Sequence, residues 1–365
     1  MSDETVMRHR AGFDDDVEPT EISLSQETRE AYLLDQVPRF HCPDLTLEAT
    51  YYFRWWTYFK HLRRTPIGWI VTEFLPHVAW AGLYNSINCS AAHHLYEGRW
   101  LRNRQDFLPD YIRFWFHGGG EPRKYSTWLS DAVWNYCLVD GRFELAFDLL
   151  DAMVSNQEAW IQSHRHASGL FWSSDDRDGM EYSISGPGLR PSVNAYVYGD
   201  ARAISQVARM ADRLPLAMHY QREAEQLQQR IVERLWDPKE AFFKTIPLEH
   251  IDDRVSSWDF SDLDQERNVR ELIGFLPWYF HMSGISNRPV WHQLMDPEGF
   301  SAPFGPTTAE RRHPRFMFAN PSHECLWNGP SWPFATSQVL TAMANALHQG
   351  DPAVAKDDYL VLLET

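Results

Sequence analysis

The hydrophobic positions of this chain recur mainly at intervals of three and four residues, which is the spacing of amphipathic helices. In the clearest case, residues 191–213, Ile204 and Ala208 lie on one side of the predicted helix, and Arg202 and Arg209 lie on the other. Strand-like alternation of apolar and polar residues is scarce. The pattern predicts helices near residues 48–63, 73–85, 90–104, 106–117, 125–139, 142–165, 191–213, 216–236, 267–282, 287–296, 330–349 and 352–364.

Three long segments lack helical periodicity and combine Gly, Pro, Asp, Ser and aromatic residues: 166–190, 237–266 and 297–329. Loops longer than about 12–15 residues in a compact domain usually carry function. The simplest architecture is an all-α barrel of helical hairpins with the long loops gathered at one end. We expect an (α/α)6 toroid of six inner and six outer helices over residues 47–365, preceded by a loose polar leader, residues 1–46.

Composition narrows the class of protein. The chain has 365 residues and a formal net charge of −16, which argues against nucleic acid or an anionic membrane as a partner. No apolar run approaches the ~18 residues of a membrane span. The polar, acidic N-terminus does not resemble a signal peptide, so we expect a cytoplasmic location.

Metal and cofactor chemistry finds little support in the sequence. The four cysteines lie far apart without a CxxC pair, so buried thiols are expected rather than disulfides or a zinc site. The nucleotide-binding glycine motifs, HExxH and the GxSxG elbow do not occur. We expect no metal and no cofactor.

Tryptophan is abundant, with 16 residues beside 15 Tyr and 21 Phe. A large aromatic core is one interpretation. Each indole N–H needs a hydrogen-bond partner when it is buried, however, which makes Trp an expensive core residue. Indole faces also stack on sugar rings, so the composition is equally compatible with a carbohydrate as the partner.

The stretch GLFWSSDDRDGMEYSISG, residues 169–186, places four acidic residues within seven positions. It has three possible interpretations: a calcium loop, a solvated turn, or the acid half of a hydrolase site. A calcium loop needs a bidentate Glu six residues after its glycine, but Ser185 stands six residues after Gly179. A general acid is a carboxyl group whose pKa is raised by apolar surroundings and nearby carboxylates, and this stretch provides both.

The second motif is NPSHECLWNGPSWPFAT, residues 320–336, in which Trp327 and Trp332 flank a Gly-Pro turn. It is rigid and aromatic for a connector, which favours a sugar-binding segment. A helix N-terminus with buried indoles is the alternative. His323 is a candidate polar contact, and Glu324 is a candidate second carboxylate.

Two further groups are candidates for sugar contacts. They are Arg54, Trp55 and Trp56 in the first predicted helix, and Arg190, Asn194 and Tyr198 at the start of the helix after the acidic loop. The first group combines an arginine fork for hydroxyls with indole faces for stacking. The second group is expected to face the same end of the barrel as the acidic loop. An aromatic core helix explains the first group equally well.

Together these segments resemble the six-hairpin glycosidases, and specifically the relatives of glycoside hydrolase family 63. That family includes mannosylglycerate and glucosylglycerate hydrolases, and trehalases are neighbours in its clan. Residues 179–183, GMEYS, are similar to the family's Gly-[Met/Trp]-Asp-x-Ser motif, with Glu in place of Asp. Residues 327–332, WNGPSW, are similar to the motif that lines the sugar pocket. The resemblance implies that Glu181 is the general acid, with Asp178 in reserve.

The resemblance also implies an inverting mechanism, in which a second carboxylate activates a water molecule. The two carboxyl groups of such enzymes lie about 6.5–9.5 Å apart. In the family this base follows the tryptophan motif. We therefore expect either that the sequence is a fragment whose base lies beyond Thr365, or that Glu324 substitutes. The expected activity is hydrolysis of a small glycoside or of a terminal sugar of an oligosaccharide. A catalytically inactive carbohydrate-binding or scaffold protein, or a rhamnosidase-like or arabinofuranosidase-like hydrolase, is the alternative.

Overall fold

The computed structural model describes residues 2–17, 20–248 and 259–365 and is mostly helical. The chain forms two compact units. Unit 1 comprises Met1–Lys124 and Leu129–Met153, and unit 2 comprises Tyr125–Trp128 and Val154–Thr365.

The helices of the described residues are α1 (Asp3–Arg10), α2 (Gln26–Asp35), α3 (Leu45–His61), α4 (Ala91–Gly98), α5 (Arg104–His117), α6 (Leu129–Asp140), α7 (Glu144–His164), α8 (Pro191–Met210), α9 (Leu214–Arg234), α10 (Leu276–Tyr279), α11 (His292–Met295), α12 (Pro333–His348) and α13 (Lys356–Glu364). The strands are β1 (Leu62–Thr65), β2 (Gly68–Val71), β3 (Gly188–Leu189), β4 (Trp236–Asp237), β5 (Phe242–Phe243) and β6 (Ile246–Pro247). They pair antiparallel as β1–β2, β3–β6 and β4–β5.

In unit 1 the predicted loose leader, residues 1–46, instead carries α1 and α2, which both pack against α3. The contact is centred on Trp56, which is fully buried. The guanidinium of Arg10 lies 3.8 Å from the Trp56 ring centroid, and that of Arg29 lies 5.2 Å away. The indole N–H donates to the carbonyl of Asp14 at 3.0 Å. Cation–π contacts from polar helices thus order a segment that has few apolar residues.

The helix predicted at 73–85 is also replaced by irregular structure. The Asn85 side chain donates to the carbonyl of Phe74 at 2.7 Å and accepts from the Val78 N–H at 2.9 Å. The hydroxyl of Thr72 donates to the Asn85 carbonyl at 2.9 Å. Side chains therefore satisfy backbone groups that a helix would otherwise pair.

In unit 2, α8 is buried along most of its length and packs beside α9. The helices predicted at 267–282 and 287–296 shorten to the four-residue helices α10 and α11. Most of residues 271–282 are buried, so their apolar run reflects a core segment without an amphipathic face. Periodicity alone cannot distinguish such a run from a helix.

The long segments predicted to be loops remain largely irregular. Residues 166–190 contain one 3-10 turn, Asp176–Asp178, and the short strand β3. Of the segment 237–266, residues 249–258 lie outside the described residues. Within the described part of the chain, none of the helices is long and apolar enough to cross a membrane.

Candidate active site

The acidic loop lies wholly in unit 2 and joins α7 to α8. Ser173 and Gly188 pair as an antiparallel bridge that closes its base, with an N–H to carbonyl distance of 3.0 Å. The loop then turns through two residues with left-handed backbone, Gly179 (φ 68°) and Tyr182 (φ 60°). Glycine adopts this conformation freely, whereas tyrosine adopts it at a cost. Glu181 is thus fixed between two tight turns.

Asp178 is the anchor of the loop and is only 1% exposed. Its carboxylate accepts a hydrogen bond from Nε of Arg190 at 2.7 Å and further bonds from the hydroxyls of Ser126 and Ser192. The reserve acid suggested by the sequence is therefore buried in an ion pair and three hydrogen bonds. It cannot present a carboxyl group to a substrate without breaking them.

Arg190 is fully buried and acts as a clamp on the same loop. Its Nη1 donates to the hydroxyls of Ser183 at 3.0 Å and Ser185 at 3.2 Å and to the carbonyl of Gly186 at 2.7 Å. The sequence analysis expected this guanidinium to bind substrate hydroxyls, but in the structure it binds groups of the protein itself. Its bonds fix the backbone on either side of Ile184.

Glu271 completes this buried network. Its carboxylate accepts from the backbone N–H of Ser185 at 3.2 Å and from the Ser185 hydroxyl at 2.6 Å. Burial alone lowers the pKa of Arg190, but the charges of Asp178 and Glu271 outweigh it and the net pKa is raised. Glu271 and Arg190 also line a cavity of about 10 Å³ beside Trp327, which is too small for a sugar.

Asn194 and Tyr198 follow on α8, but neither faces Glu181. Asn194 is fully buried, and its carboxamide bonds the N–H of Phe171 at 2.7 Å and the carbonyls of Phe171 and Arg190 at 2.8 Å. The hydroxyl of Tyr198 donates to Oε1 of Gln228 on α9 at 2.9 Å. Asn194 therefore holds the loop, and Tyr198 belongs to a different part of the unit.

The tryptophan motif and the acid loop meet at a backbone hydrogen bond. The N–H of Trp327 donates to the carbonyl of Glu181 at 3.0 Å. The Trp327 ring stacks on Trp332 with centroids 5.2 Å apart and planes 6° apart, and the Trp332 indole donates to the Leu326 carbonyl at 2.8 Å. The hydroxyl of Thr308 donates to the Trp327 carbonyl at 2.9 Å. The two segments that the resemblance singled out are therefore held together as one site.

The Glu181 side chain differs from Asp178 in its hydrogen bonding. Its Oε2 is buried and accepts no hydrogen bond from any described residue. The thiol of Cys325 lies beside this carboxyl group. Burial, followed by the charge of Glu181 and a hydrogen bond with its carboxyl group, raises the pKa of Cys325 to about 12. A buried carboxylate oxygen without a donor is costly, and such atoms in native proteins call for an explanation.

His323 and Glu324 precede Cys325 on the same segment. Glu324 is exposed, and within the described ranges it forms no ion pair. His323 is partly buried, and its Nδ1 is a buried atom without a hydrogen-bond partner among the described residues. Both side chains are thus available for contact with a ligand.

The remaining sequence candidates, Arg54, Trp55 and Trp56, lie on α3 in unit 1. Trp55 is 2% exposed and packs on other rings of the same helix, and Trp56 is fully buried. Arg54 is exposed and lies 3.5 Å from the carboxylate of Glu97. The core interpretation accounts for both indoles, because neither offers a face to a sugar.

Sequence reasoning did not select three residues of this site: Ser126, Glu271 and Cys325. Ser126 and Glu271 are far from the acidic loop in sequence and belong to no recognisable motif. Cys325 stands two residues before the WNGPSW motif. Its place beside the motif was the one signal that could have identified it.

Comparison with known proteins places this site in a family. Residues 83–365, which include both motifs, match the family model described as "Mannosylglycerate hydrolase MGH1-like glycoside hydrolase domain". The chain belongs to this family. The resemblance found in the sequence is thereby confirmed at the level of a family 63-like six-hairpin glycosidase. No curated protein matches this glycoside hydrolase domain.

Solved structures agree on the fold. A sialidase matches with a TM-score of 0.89 and 34% identity, covering 99% of this chain and 33% of its own. An uncharacterised conserved protein of Thermus thermophilus matches with a TM-score of 0.58 and 14% identity, and the match covers 82% of this chain and 89% of that protein. The GH63 mannosylglycerate hydrolase of the same organism, in complex with Tris, matches with a TM-score of 0.53 and 13% identity. The match covers 78% of this chain and 85% of that enzyme. The predicted all-α, (α/α)6 toroid class is confirmed. This chain spans about a third of the length of the sialidase.

Proposed function

We propose that the protein is an inverting glycosidase that cleaves a small glycoside or a terminal sugar, with Glu181 as the general acid. The observation that carries the proposal is the buried Oε2 of Glu181, which accepts no hydrogen bond from the described residues. A general acid needs an oxygen that is free to hold a proton and to donate it to the leaving group. Family membership supplies the reaction class.

The contrast with Asp178 supports this choice of acid. Both carboxylates come from the same loop, but Asp178 is held by Arg190 and two serine hydroxyls, whereas Glu181 keeps an oxygen free. The Arg190 clamp and the backbone bond from Trp327 then position the acid without occupying it. Positioning by the surrounding residues is what lets a carboxyl group act at a defined distance from its substrate.

Sugar contacts are assigned to the tryptophan segment. Trp332 is partly buried and stacks on the buried ring of Trp327, so Trp332 is the candidate platform and Trp327 its support. The Nδ1 of His323 is a candidate partner for a hydroxyl. Glu324, exposed on the same segment, is the candidate base that this chain offers.

The test is turnover by Glu181→Gln in the protein that carries this chain, with Asp176→Asn in the same loop as the control. The substrate panel includes mannosylglycerate, glucosylglycerate, trehalose, a rhamnoside, an arabinofuranoside and a sialoside. We expect Glu181→Gln to lower kcat by about 10²–10⁴ on the substrate that is cleaved. On a glycosyl fluoride, whose leaving group needs no proton, the kcat of this variant should fall much less. Equal losses on both substrates, or near-wild-type turnover, would refute the role of Glu181.

The same panel separates the alternatives. Binding of a sugar by calorimetry without release of any product would favour a carbohydrate-binding protein. Product release that survives Glu324→Gln would assign the base to another residue and leave the acid assignment intact. Anomeric inversion is read directly by NMR of the first-formed product.

A further inference from the structure

A second cavity lies in unit 2, along the groove between α8 and α9. Its volume is about 370 Å³, within the range of small-molecule sites. Its lining includes Tyr198, Arg202, Arg209, Gln221, Glu225 and Gln228. Neither Glu181 nor the tryptophan motif contributes to it.

The residues of α8 and α9 that border the cavity are mostly polar. Paired helices ordinarily meet along apolar stripes. On α8, Arg202 and Arg209 lie seven residues apart and therefore on one face, two turns from each other. On α9, Gln221, Glu225 and Gln228 follow the same spacing. Two polar stripes thus border the cavity, beside the apolar seam along which α8 and α9 pack.

The two guanidinium groups have few partners in the protein. Arg202 donates from Nη1 to the Phe280 carbonyl at 2.8 Å, and Arg209 donates from Nη2 to Oε1 of Gln221 at 2.7 Å. Neither arginine forms a salt bridge within residues 2–17, 20–248 and 259–365, although the chain holds 50 acidic residues. Each guanidinium has five N–H donors, so most of them remain available.

The opposite wall is held in place by hydrogen bonds between side chains. Oε1 of Gln228 accepts from the hydroxyl of Tyr198 at 2.9 Å, and its Nε2 donates to the hydroxyl of Ser283 at 2.7 Å. The Tyr198 ring lies 5.6 Å from the guanidinium carbon of Arg202. The amide and hydroxyl groups are therefore fixed before any ligand arrives, which reduces the entropy cost of binding.

We propose that this cavity is a second binding site for a small, hydroxyl-rich anion of the sugar-acid or sugar-phosphate class. Guanidinium groups bind carboxylate and phosphate with paired hydrogen bonds. Carboxamides and serine hydroxyls match the hydroxyl groups of a sugar. Arg202 and Arg209 outnumber the one carboxylate of the lining, Glu225, and this local excess of positive charge favours an anion on a chain of net charge −16.

The site is separate from the proposed acid. Arg190 stands at the N-terminal end of α8, and Arg202 lies twelve residues further on, about 18 Å along the helix. A ligand in this cavity and a ligand at Glu181 therefore do not compete for the same atoms. The proposal stands independently of the function assigned to Glu181.

The experiment is calorimetric titration of the whole chain with glucuronate, glucose 6-phosphate, glucose and inorganic phosphate. We expect at least one sugar anion to bind at least tenfold more tightly than glucose, and more tightly than inorganic phosphate. Arg209→Gln, at an exposed position, should weaken that binding at least tenfold. Arg222→Gln removes the same charge from the outside of α9 and should leave that binding unchanged.

The relative affinities of glucuronate and glucose 6-phosphate decide between carboxylate and phosphate. The absence of binding by both sugar anions would overturn the proposal. So would equal binding by Arg209→Gln and the wild type, or binding of inorganic phosphate as tight as that of the sugar anions. Gln228→Ala provides a second, uncharged variant, which should weaken the sugar anions but leave inorganic phosphate unchanged.

Discussion

Replacing Asp178 by Asn should destabilise the protein through Arg190 and not through lost shape. The two side chains have nearly the same size, and an amide can still bond the hydroxyls of Ser126 and Ser192, because a hydroxyl both donates and accepts. What disappears is the negative charge opposite a guanidinium that is fully buried. The variant therefore isolates the cost of leaving one member of a buried ion pair without its partner.

Breaking such a pair typically costs 3–5 kcal/mol. We expect the lower end of that range, about 3 kcal/mol, because the charge of Glu271 also acts on Arg190 and remains in place. The measurement is the free energy of unfolding from urea titration followed by tryptophan fluorescence. Asp176→Asn, an exposed change in the same loop, should stay within about 0.5 kcal/mol of the wild type.

A double-mutant cycle with Arg190→Met tests the reasoning more strictly. If the cost arises from the pair, the double variant should be more stable than the sum of the two single losses predicts, by about 1–3 kcal/mol. Strict additivity would refute the ion-pair explanation. A loss of less than 1 kcal/mol in Asp178→Asn would do the same, and it would reopen Asp178 as a candidate acid.

Two other predictions follow from shifted pKa values. Hydrogen bonds from the Cys42 N–H, then from His9 and His41, lower the pKa of Glu48 from 4.5 to about 2. This carboxylate therefore stabilises the fold above pH 4.5, and its contribution is lost as pH falls towards 2. Glu48→Gln should flatten the dependence of Tm on pH over that interval, and an unchanged slope would count against this prediction. Burial raises the pKa of Cys325 to about 12. Iodoacetamide at pH 8 should therefore alkylate this thiol at least tenfold more slowly in the native protein than in urea, as measured by mass spectrometry of the peptide. Equal rates would contradict the placement of Cys325 beside Glu181.

The sequence predicted the long amphipathic helices well. Residues 191–213 correspond to α8, Pro191–Met210, and residues 142–165 correspond to α7, Glu144–His164. Each has one apolar stripe that sets its period. The apolar segment 267–282 contains only the four-residue α-helix α10. Most of residues 271–282 are buried, and an apolar run of this kind does not by itself distinguish a helix from an irregular core segment. Irregular segments stabilised by side chains, such as that around Asn85, have no short-range signal.

For the site, the local motifs selected two segments that the structure brings together, but they did not indicate the partners of the individual side chains. The resemblance selected Glu181 and Trp327, and the structure joins them by a backbone hydrogen bond. The roles of Asp178 and Arg190 depended on Ser126 and Glu271, which are distant in sequence. Hydrogen bonds of that range leave no pattern in one chain, so four acids in one loop cannot be told apart until their partners are known.

The bond between the Trp327 N–H and the Glu181 carbonyl also bears on the order in which the protein is made. Glu181 leaves the ribosome long before Trp327 does, and until then its carbonyl lacks this partner. The nascent chain can therefore form α7 and α8 while the acid between them remains unfixed. The geometry of the loop that carries Glu181 is therefore completed only after Trp327 has been synthesised.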